Sequence, residues 1–181
     1  MDFTKNYDVV VAGSGVAGIA AALAAARRGK SVALIEKQSL IGGLATSGLV
    51  YVYLPLCDGK GKQILFGIPE ELLKLSLRYS PFDLSDAWGG EVGAGFPRYM
   101  CHFSPAGFTI ALDGALRDAG VEVWLDTLVC ATQTHDGRVT AIEVENVSGR
   151  GRIGASCFVD ATGDAAIVRR AGGEVVTCEN Y

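Results

Sequence analysis

Gly13-Ser14-Gly15-Val16-Ala17-Gly18 sets three glycines at the spacing G-x-G-x-x-G. Such a run can wrap a phosphate. The first glycine permits a tight turn, the second lets a charged oxygen approach the backbone without meeting a Cβ, and the third lets a helix lie close on a sheet. Backbone N–H groups and the positive end of the following helix supply the attraction. Glu36 stands 18 residues after Gly18. A carboxylate there can accept hydrogen bonds from both hydroxyls of a ribose and would repel a 2′-phosphate. Turn and glutamate together predict a dinucleotide without that phosphate, FAD or NAD.

Three elements must position these residues. Tyr7 to Ala12 is a β-branched run ending in glycines, which suits the buried first strand of a parallel sheet. Val16 to Arg28 is alanine-rich, has no breaker after Gly18, carries two arginines in its expected last turn and stops at Gly29, so it reads as a helix. Ser31 to Glu36 is a second apolar run, and a right-handed crossover makes it parallel to the first. The first 36 residues therefore form one βαβ unit.

The residues beyond Glu36 separate FAD from NAD. An NAD-binding half would continue at once with further βαβ repeats. Here Gly42, Gly43, Leu44, Ala45, Thr46, Ser47 and Gly48 form a loop of small residues rich in N–H groups, able to run beneath a pyrophosphate, ribityl chain and flavin ring. Later, Asp160-Ala161-Thr162-Gly163-Asp164-Ala165 closes a strand. A Gly-Asp pair at a strand's carboxyl end sits where open α/β sheets bind ligands. The structural alternative is a plain turn, with Asp164 as a helix N-cap.

Elsewhere the pattern predicts a helix over Pro69–Tyr79 and another over Pro105–Ala119. Strands are expected at Val121–Asp126, Leu128–Thr134, Val139–Asn146 and Arg152–Asp160, with His135-Asp136-Gly137-Arg138 as a hairpin turn. A short helix to Ala171 and a new strand near Tyr181 should come after these. The fold class is α/β, a Rossmann-like FAD-binding domain with a parallel sheet, a β-meander and an insertion, and it is expected to be incomplete. Residues 1–50 and 101–170 are expected to make the FAD-binding domain and residues 51–100 an insertion or cap, while residues 171–181 are the start of an absent substrate domain only as the family resemblance that follows implies.

Asp8 through Gly18, Glu36, Gly42-Gly43 and Asp160 through Ala165, in that order, resemble the FAD-dependent oxidoreductases of the glutathione-reductase-like superfamily. The group in question opens with D-V-V-V-x-G-x-G-x-A-G and carries a later D-A-T-G-D-A. The resemblance implies that Gly13, Ser14, Gly15, Val16, Ala17 and Gly18 hold a pyrophosphate and Glu36 the adenosine ribose. It further implies that Lys37 meets the ribose or adenine edge, the backbone near Val129 meets the adenine, and Ala161, Gly163 and Asp164 approach the cofactor where the last strand ends. An oxidoreductase moving hydride or electrons on a small molecule is implied with them. The group's members continue into a substrate domain and a final FAD-contacting segment, and the resemblance leads to the expectation that both are missing from these 181 residues. A non-catalytic FAD-binding portion or subunit is thus the alternative reading, and an NAD-binding dehydrogenase domain the second.

Composition excludes other classes. Net charge is −4, and the 16 basic residues are scattered apart from Arg27-Arg28 and Arg169-Arg170, so no stripe for nucleic acid exists. Hydrophobic residues at 49% against 20% charged suit a folded globule. The apolar stretch Val9 to Ala26 is interrupted by glycines and Ser14, and reads as strand, turn and helix rather than a membrane span. Five cysteines, odd in number and without C-x-x-C, argue against a disulfide framework, a zinc site or an iron–sulfur run. They are expected to be reduced, mostly buried thiols in a cytoplasmic protein. The C-x-x-x-x-C of disulfide reductases is missing from residues 37–56, and Cys57 reads as inert. His102 reads as structural before catalytic, Arg98 as a surface ion pair before a carboxylate clamp, His135 as solvated, and Trp88 and Trp124 as packing. The expected partners are a small-molecule substrate and either a second copy or a missing C-terminal segment.

Overall fold

Val10, Val11 and Ala12 have no solvent exposure, because the strand that carries them is covered on both faces. That strand, β1 (Phe3–Ala12), lies inside a six-stranded sheet. The computed structural model describes residues 2–53, 56–58, 62–84 and 101–176. After β1 come α1 (Val16–Ala26), β2 (Val32–Ile35), β3 (Val52–Tyr53), α2 (Ile68–Leu77), β4 (Cys101–His102) and α3 (Pro105–Asp118). They are followed by β5 (Glu122–Trp124), β6 (Leu128–His135), β7 (Arg138–Asn146), β8 (Gly149–Asp160) and α4 (Ala166–Arg170). The chain divides into two compact units, Met1–Leu40 with Leu116–Tyr181, and Ile41–Ala115.

The first unit holds the sheet, in the order β5-β2-β1-β8-β7-β6. β5, β2, β1 and β8 run parallel, whereas β8, β7 and β6 pair antiparallel as a meander. Val10, Ala12, Ile35, Val129, Ile142, Val144 and Ile153 form its core together with Ile167 of α4. Asp136 and Gly137 both take positive φ, 49° and 73°, as a two-residue I′ hairpin between β6 and β7 demands.

Several boundaries differ from the sequence pattern for physical reasons. β1 starts at Phe3 rather than Tyr7, since Phe3 through Tyr7 pair with Gly151 through Ala155 of the long strand β8. Thr4, Lys5 and Asn6 are exposed there, so no apolar run marks the pairing. α1 closes at Ala26 with Arg27 as its C-cap, which leaves no basic residue in the last turn; Gly29, at φ +73°, ends it. β5 spans three residues, not six, and Asp126 turns the chain away at φ +48°. The thiols are also less buried than expected. Cys101 alone among the four described is buried, and Cys157 is exposed beside exposed Ser156 where β8 lies uncovered.

In the second unit, α2 buries Leu72 and Leu73, and Leu73 packs with Leu56 and Cys101. β3 pairs antiparallel with β4. Phe103 meets Phe108 edge-on at 5.4 Å. Trp88, Arg98 and the glycine-rich stretch around them, Cys178, and the strand expected near Tyr181 lie outside the described residues. No described helix is long and apolar enough to cross a membrane.

Candidate functional site

Ala12 pairs with Ile35 on one side and with Asp160 on the other, so β1, β2 and β8 end level. Hydrogen bonding continues one residue further. Gly13 N donates to Ile35 O at 2.8 Å, Ala161 N to Ala12 O at 2.8 Å, and Glu36 N to Trp124 O at 2.8 Å. Gly13, Glu36 and Ala161 therefore leave the sheet side by side at its carboxyl edge, the ligand-binding edge of open α/β sheets.

The three motif glycines meet different surroundings. Gly13 has φ +94°, and a Cβ on it would strike the Ala161 carbonyl. A Cβ on Gly18 would land on the Gly13 carbonyl oxygen and lie 3.2 Å from the Ala161 side chain, so α1 is seated directly on the turn. Gly15 is the N-cap of α1, and a Cβ there would meet nothing within 4 Å. No side chain caps this helix and no acidic residue lies in its first turn. Its leading N–H groups have no partner within the helix and no side-chain cap.

Glu36 is only 7% exposed, and its charge is compensated by three donors. Oε2 accepts from Ser14 N at 2.8 Å and from Ser14 Oγ at 2.7 Å; Oε1 accepts from Gln38 N at 2.9 Å. Ser14 is fully buried and directs both its donors at this carboxylate. The strand-end glutamate thus fastens the glycine turn to the end of β2.

A second carboxylate fastens the other turn. Asp160 Oδ1 accepts from Thr162 N at 3.1 Å and Thr162 Oγ1 at 2.6 Å, while Oδ2 accepts from Ile167 N at 2.8 Å and Val168 N at 3.1 Å. Thr162 Oγ1 in turn accepts from Ala166 N at 2.9 Å. The start of α4 is therefore held by Asp160 and Thr162. Asp164 does not cap it: Ala165, at φ +54°, occupies the N-cap position. The N-cap rule looks to the residue just before a helix, and here the capping groups arrive from the strand end. Partial burial pushes the Asp160 carboxyl up, but the hydrogen bonds from Thr162, Val168 and Ile167 outweigh it and hold the group below its ordinary value. A lowered native value means that the unfolded chain takes up the proton first as pH falls. Asp160 should therefore stabilise the fold above about pH 4 and lose that contribution as pH drops through its native value. Urea unfolding at about pH 5 and about pH 3 should show a smaller loss in Asp160→Asn than in the native protein.

A cavity of about 90 Å³ opens beside these two turns. Gly13, Glu36, Lys37, Val129 and Asp164 from the sequence-based set come together in its wall. Thr127, Leu128, Thr162 and Arg170 line it as well and carry no sequence signal of their own beyond Thr162's place in D-A-T-G-D-A. Leu128 and Val129, at the start of β6, add apolar lining to that of Ala12, Ile35 and Ala166. Gly163, at φ +84°, and Asp164 are both exposed.

Gly42 to Thr46 belong to the second unit. Gly42 and Gly43 have positive φ, and the Thr46 side chain fills the space a Cβ on Gly42 would need. Thr46 Oγ1 donates to Ile41 O at 2.5 Å. Ala45 N and Thr46 N donate to the Gly42 and Gly43 carbonyls, so this loop turns part of its N–H groups inward. Leu44 is 76% exposed. In the same unit His102 lies between the Tyr51 and Phe82 rings, each centred 5.8 Å away. His135 is exposed in its turn beside Asp136. Among the described residues no group of three or more His, Cys, Asp or Glu could hold a metal ion.

A parallel sheet whose carboxyl edge carries a glycine turn, an uncapped helix start and a buried strand-end glutamate defines a Rossmann-like nucleotide-binding domain. Residues 8–180 match the FAD dependent oxidoreductase family, and the chain belongs to it; its cofactor is FAD. It is 28% identical over 201 residues to the digeranylgeranylglycerophospholipid reductase of Methanoculleus marisnigri, covering 98% of this chain and 46% of that protein. A segment of 41 residues, 23% of this chain and 9% of the relative, is 58% identical to the soluble pyridine nucleotide transhydrogenase of Chromohalobacter salexigens. The fold is similar to a geranylgeranyl bacteriochlorophyll reductase-like protein from Thermoplasma acidophilum, with a TM-score of 0.64, 21% identity and coverage of 96% of this chain and 44% of that one. The chain thus spans less than half the length of these relatives.

Proposed function

We propose that this chain is the FAD-binding portion of an oxidoreductase of the glutathione-reductase-like superfamily, moving hydride or electrons on a small molecule. The observation that carries the reading is the start of α1 at Gly15, which no side chain caps and where a Cβ would meet nothing, beside a cavity lined by Gly13, Glu36 and Val129. The N–H groups of Val16, Ala17 and Gly18 would hold the pyrophosphate, with Gly13 shaping the turn. Ser14 would act through Glu36. Three acceptor directions of the Glu36 carboxylate are filled and a carboxylate has about four, so one remains for a ribose hydroxyl. Lys37 would meet the ribose edge, and Leu128 and Val129 the adenine. Ala161, Gly163 and Asp164, past the end of β8, would adjoin the cofactor beyond the pyrophosphate.

When bound, the flavin supplies the redox chemistry; the protein binds it, orients it and excludes water. The relatives named as reductases support a small organic substrate. Further segments or a partner would complete the substrate side, and exposed Leu44, Leu49 and Phe66 support either such cover or self-association. The odd, widely spaced cysteines support a cytoplasmic home.

The visible spectrum of the purified protein tests the reading. Flavin absorption, or its appearance with saturation when FAD is added to stripped protein, is the expected result. Failure to take up FAD at any ratio overturns it.

A further inference from the structure

Arg170 ends the short helix α4, and its side chain forms part of the wall of the cavity that contains Glu36 and Val129. Long arginine side chains on a surface are ordinarily mobile, yet this one is tied twice. Nε donates to the Cys130 carbonyl at 3.2 Å and Nη1 to the Ala166 carbonyl at 3.1 Å. The guanidinium is thereby fixed between α4 and β6. The position of α4 is fixed in turn by Asp160 and Thr162, which hold its first N–H groups. A flat, cationic, weakly hydrated group has thus been built into the wall of a cavity that Leu128 and Val129 also line.

We propose that Arg170 binds the adenine base of the dinucleotide, stacking its guanidinium plane on the ring. This rests on the cofactor reading above and adds a residue to it. With the ribose at Glu36, the base has the neighbouring space bounded by Leu128, Val129 and Arg170. A guanidinium can lay its plane on an aromatic face while its in-plane N–H groups keep their bonds to the Cys130 and Ala166 carbonyls, whereas a lysine ammonium offers only a point charge. The hydrogen bonds from Asp160 and Thr162 then serve binding at a distance, because they hold the helix that carries the base-stacking residue.

Two ligands and two variants of the full chain test this by calorimetric titration: ADP, and ribose 5-diphosphate, which lacks the base. Arg170→Ala should weaken ADP about tenfold and leave ribose 5-diphosphate unchanged. Arg170→Lys keeps the charge but not the plane, and should lose nearly as much ADP affinity as the alanine variant. Equal losses for both ligands would assign Arg170 to phosphate charge or to the fold and overturn the proposal, as would full rescue by lysine or unchanged ADP binding. If the native chain bound neither ligand, the cofactor reading would fall, and the proposal with it; loss confined to ADP in the variants cannot arise that way.

Discussion

Valine at Gly15 is expected to leave the fold intact and to remove its hold on FAD, whereas valine at Gly18, three residues on, is expected to destabilise the fold itself. Gly15 has φ −63° and ψ 172°, a conformation open to any residue, and its Cβ would enter open space. The cost to the fold is that of a poorer N-cap, about 1 kcal/mol or less. The same Cβ would stand where the pyrophosphate must approach the backbone, so FAD affinity should fall more than about a hundredfold, or about 3 kcal/mol. At Gly18 the added atoms collide with the Gly13 carbonyl and crowd Ala161. Neither neighbour can yield, because Gly13 is bonded to Ile35 and Ala161 to Ala12. Overpacking of this kind destabilises by about 3 kcal/mol. Urea unfolding and an FAD fluorescence titration of each variant separate the two outcomes. A Gly15→Val protein with native FAD affinity would remove the pyrophosphate from this turn.

Glu36→Gln should weaken both the fold and the cofactor, which distinguishes Glu36 from a residue that only meets ribose. One carboxylate oxygen accepts from both donors of Ser14 and the other from Gln38 N. An amide placed there must turn its NH₂ toward one of these N–H groups, in either orientation. Leaving a buried donor opposed in this way costs about 2 kcal/mol. FAD affinity should fall as well, since the turn loosens and a charged acceptor is lost. Ser14→Ala should cost about 1 kcal/mol, and the two changes combined should cost less than their sum, because Ser14 directs its donors to Glu36. Strictly additive stability losses in the double variant would show that the two residues do not act as one unit.

The glycine motif and its flanking elements were legible in the sequence because each is a local pattern: an apolar run, three glycines, an alanine-rich helix, a second apolar run. Glu36 was legible by its distance from Gly18 and its place at a strand end. Three features were hidden. The first half of β1 is polar and becomes a strand only because β8 lies beside it, a pairing between residues nearly the whole chain apart. The function of Asp160 within D-A-T-G-D-A was hidden because its partners, Ile167 and Val168, lie seven and eight residues on, beyond the reach of a capping rule. Arg170 joins the cavity because α4 folds back to β6, bringing it to the carbonyl of Cys130, and no spacing along the chain announces that contact. Ser14 shows the opposite case: the motif presents it as one more backbone donor for phosphate, while the folded chain commits that donor, and the hydroxyl, to Glu36.

The dinucleotide is expected to lie across the carboxyl edge of the sheet, with its pyrophosphate at the start of α1 and its adenosine in the cavity between Glu36 and Val129. A crystal structure of the chain grown with FAD would decide whether it does. Density for the pyrophosphate should appear within hydrogen-bonding distance of the N–H groups of Val16 and Ala17, with a ribose hydroxyl on Glu36 and the adenine between Val129 and Arg170. FAD bound elsewhere, with the Gly15 turn and the Glu36 cavity empty, would contradict this placement.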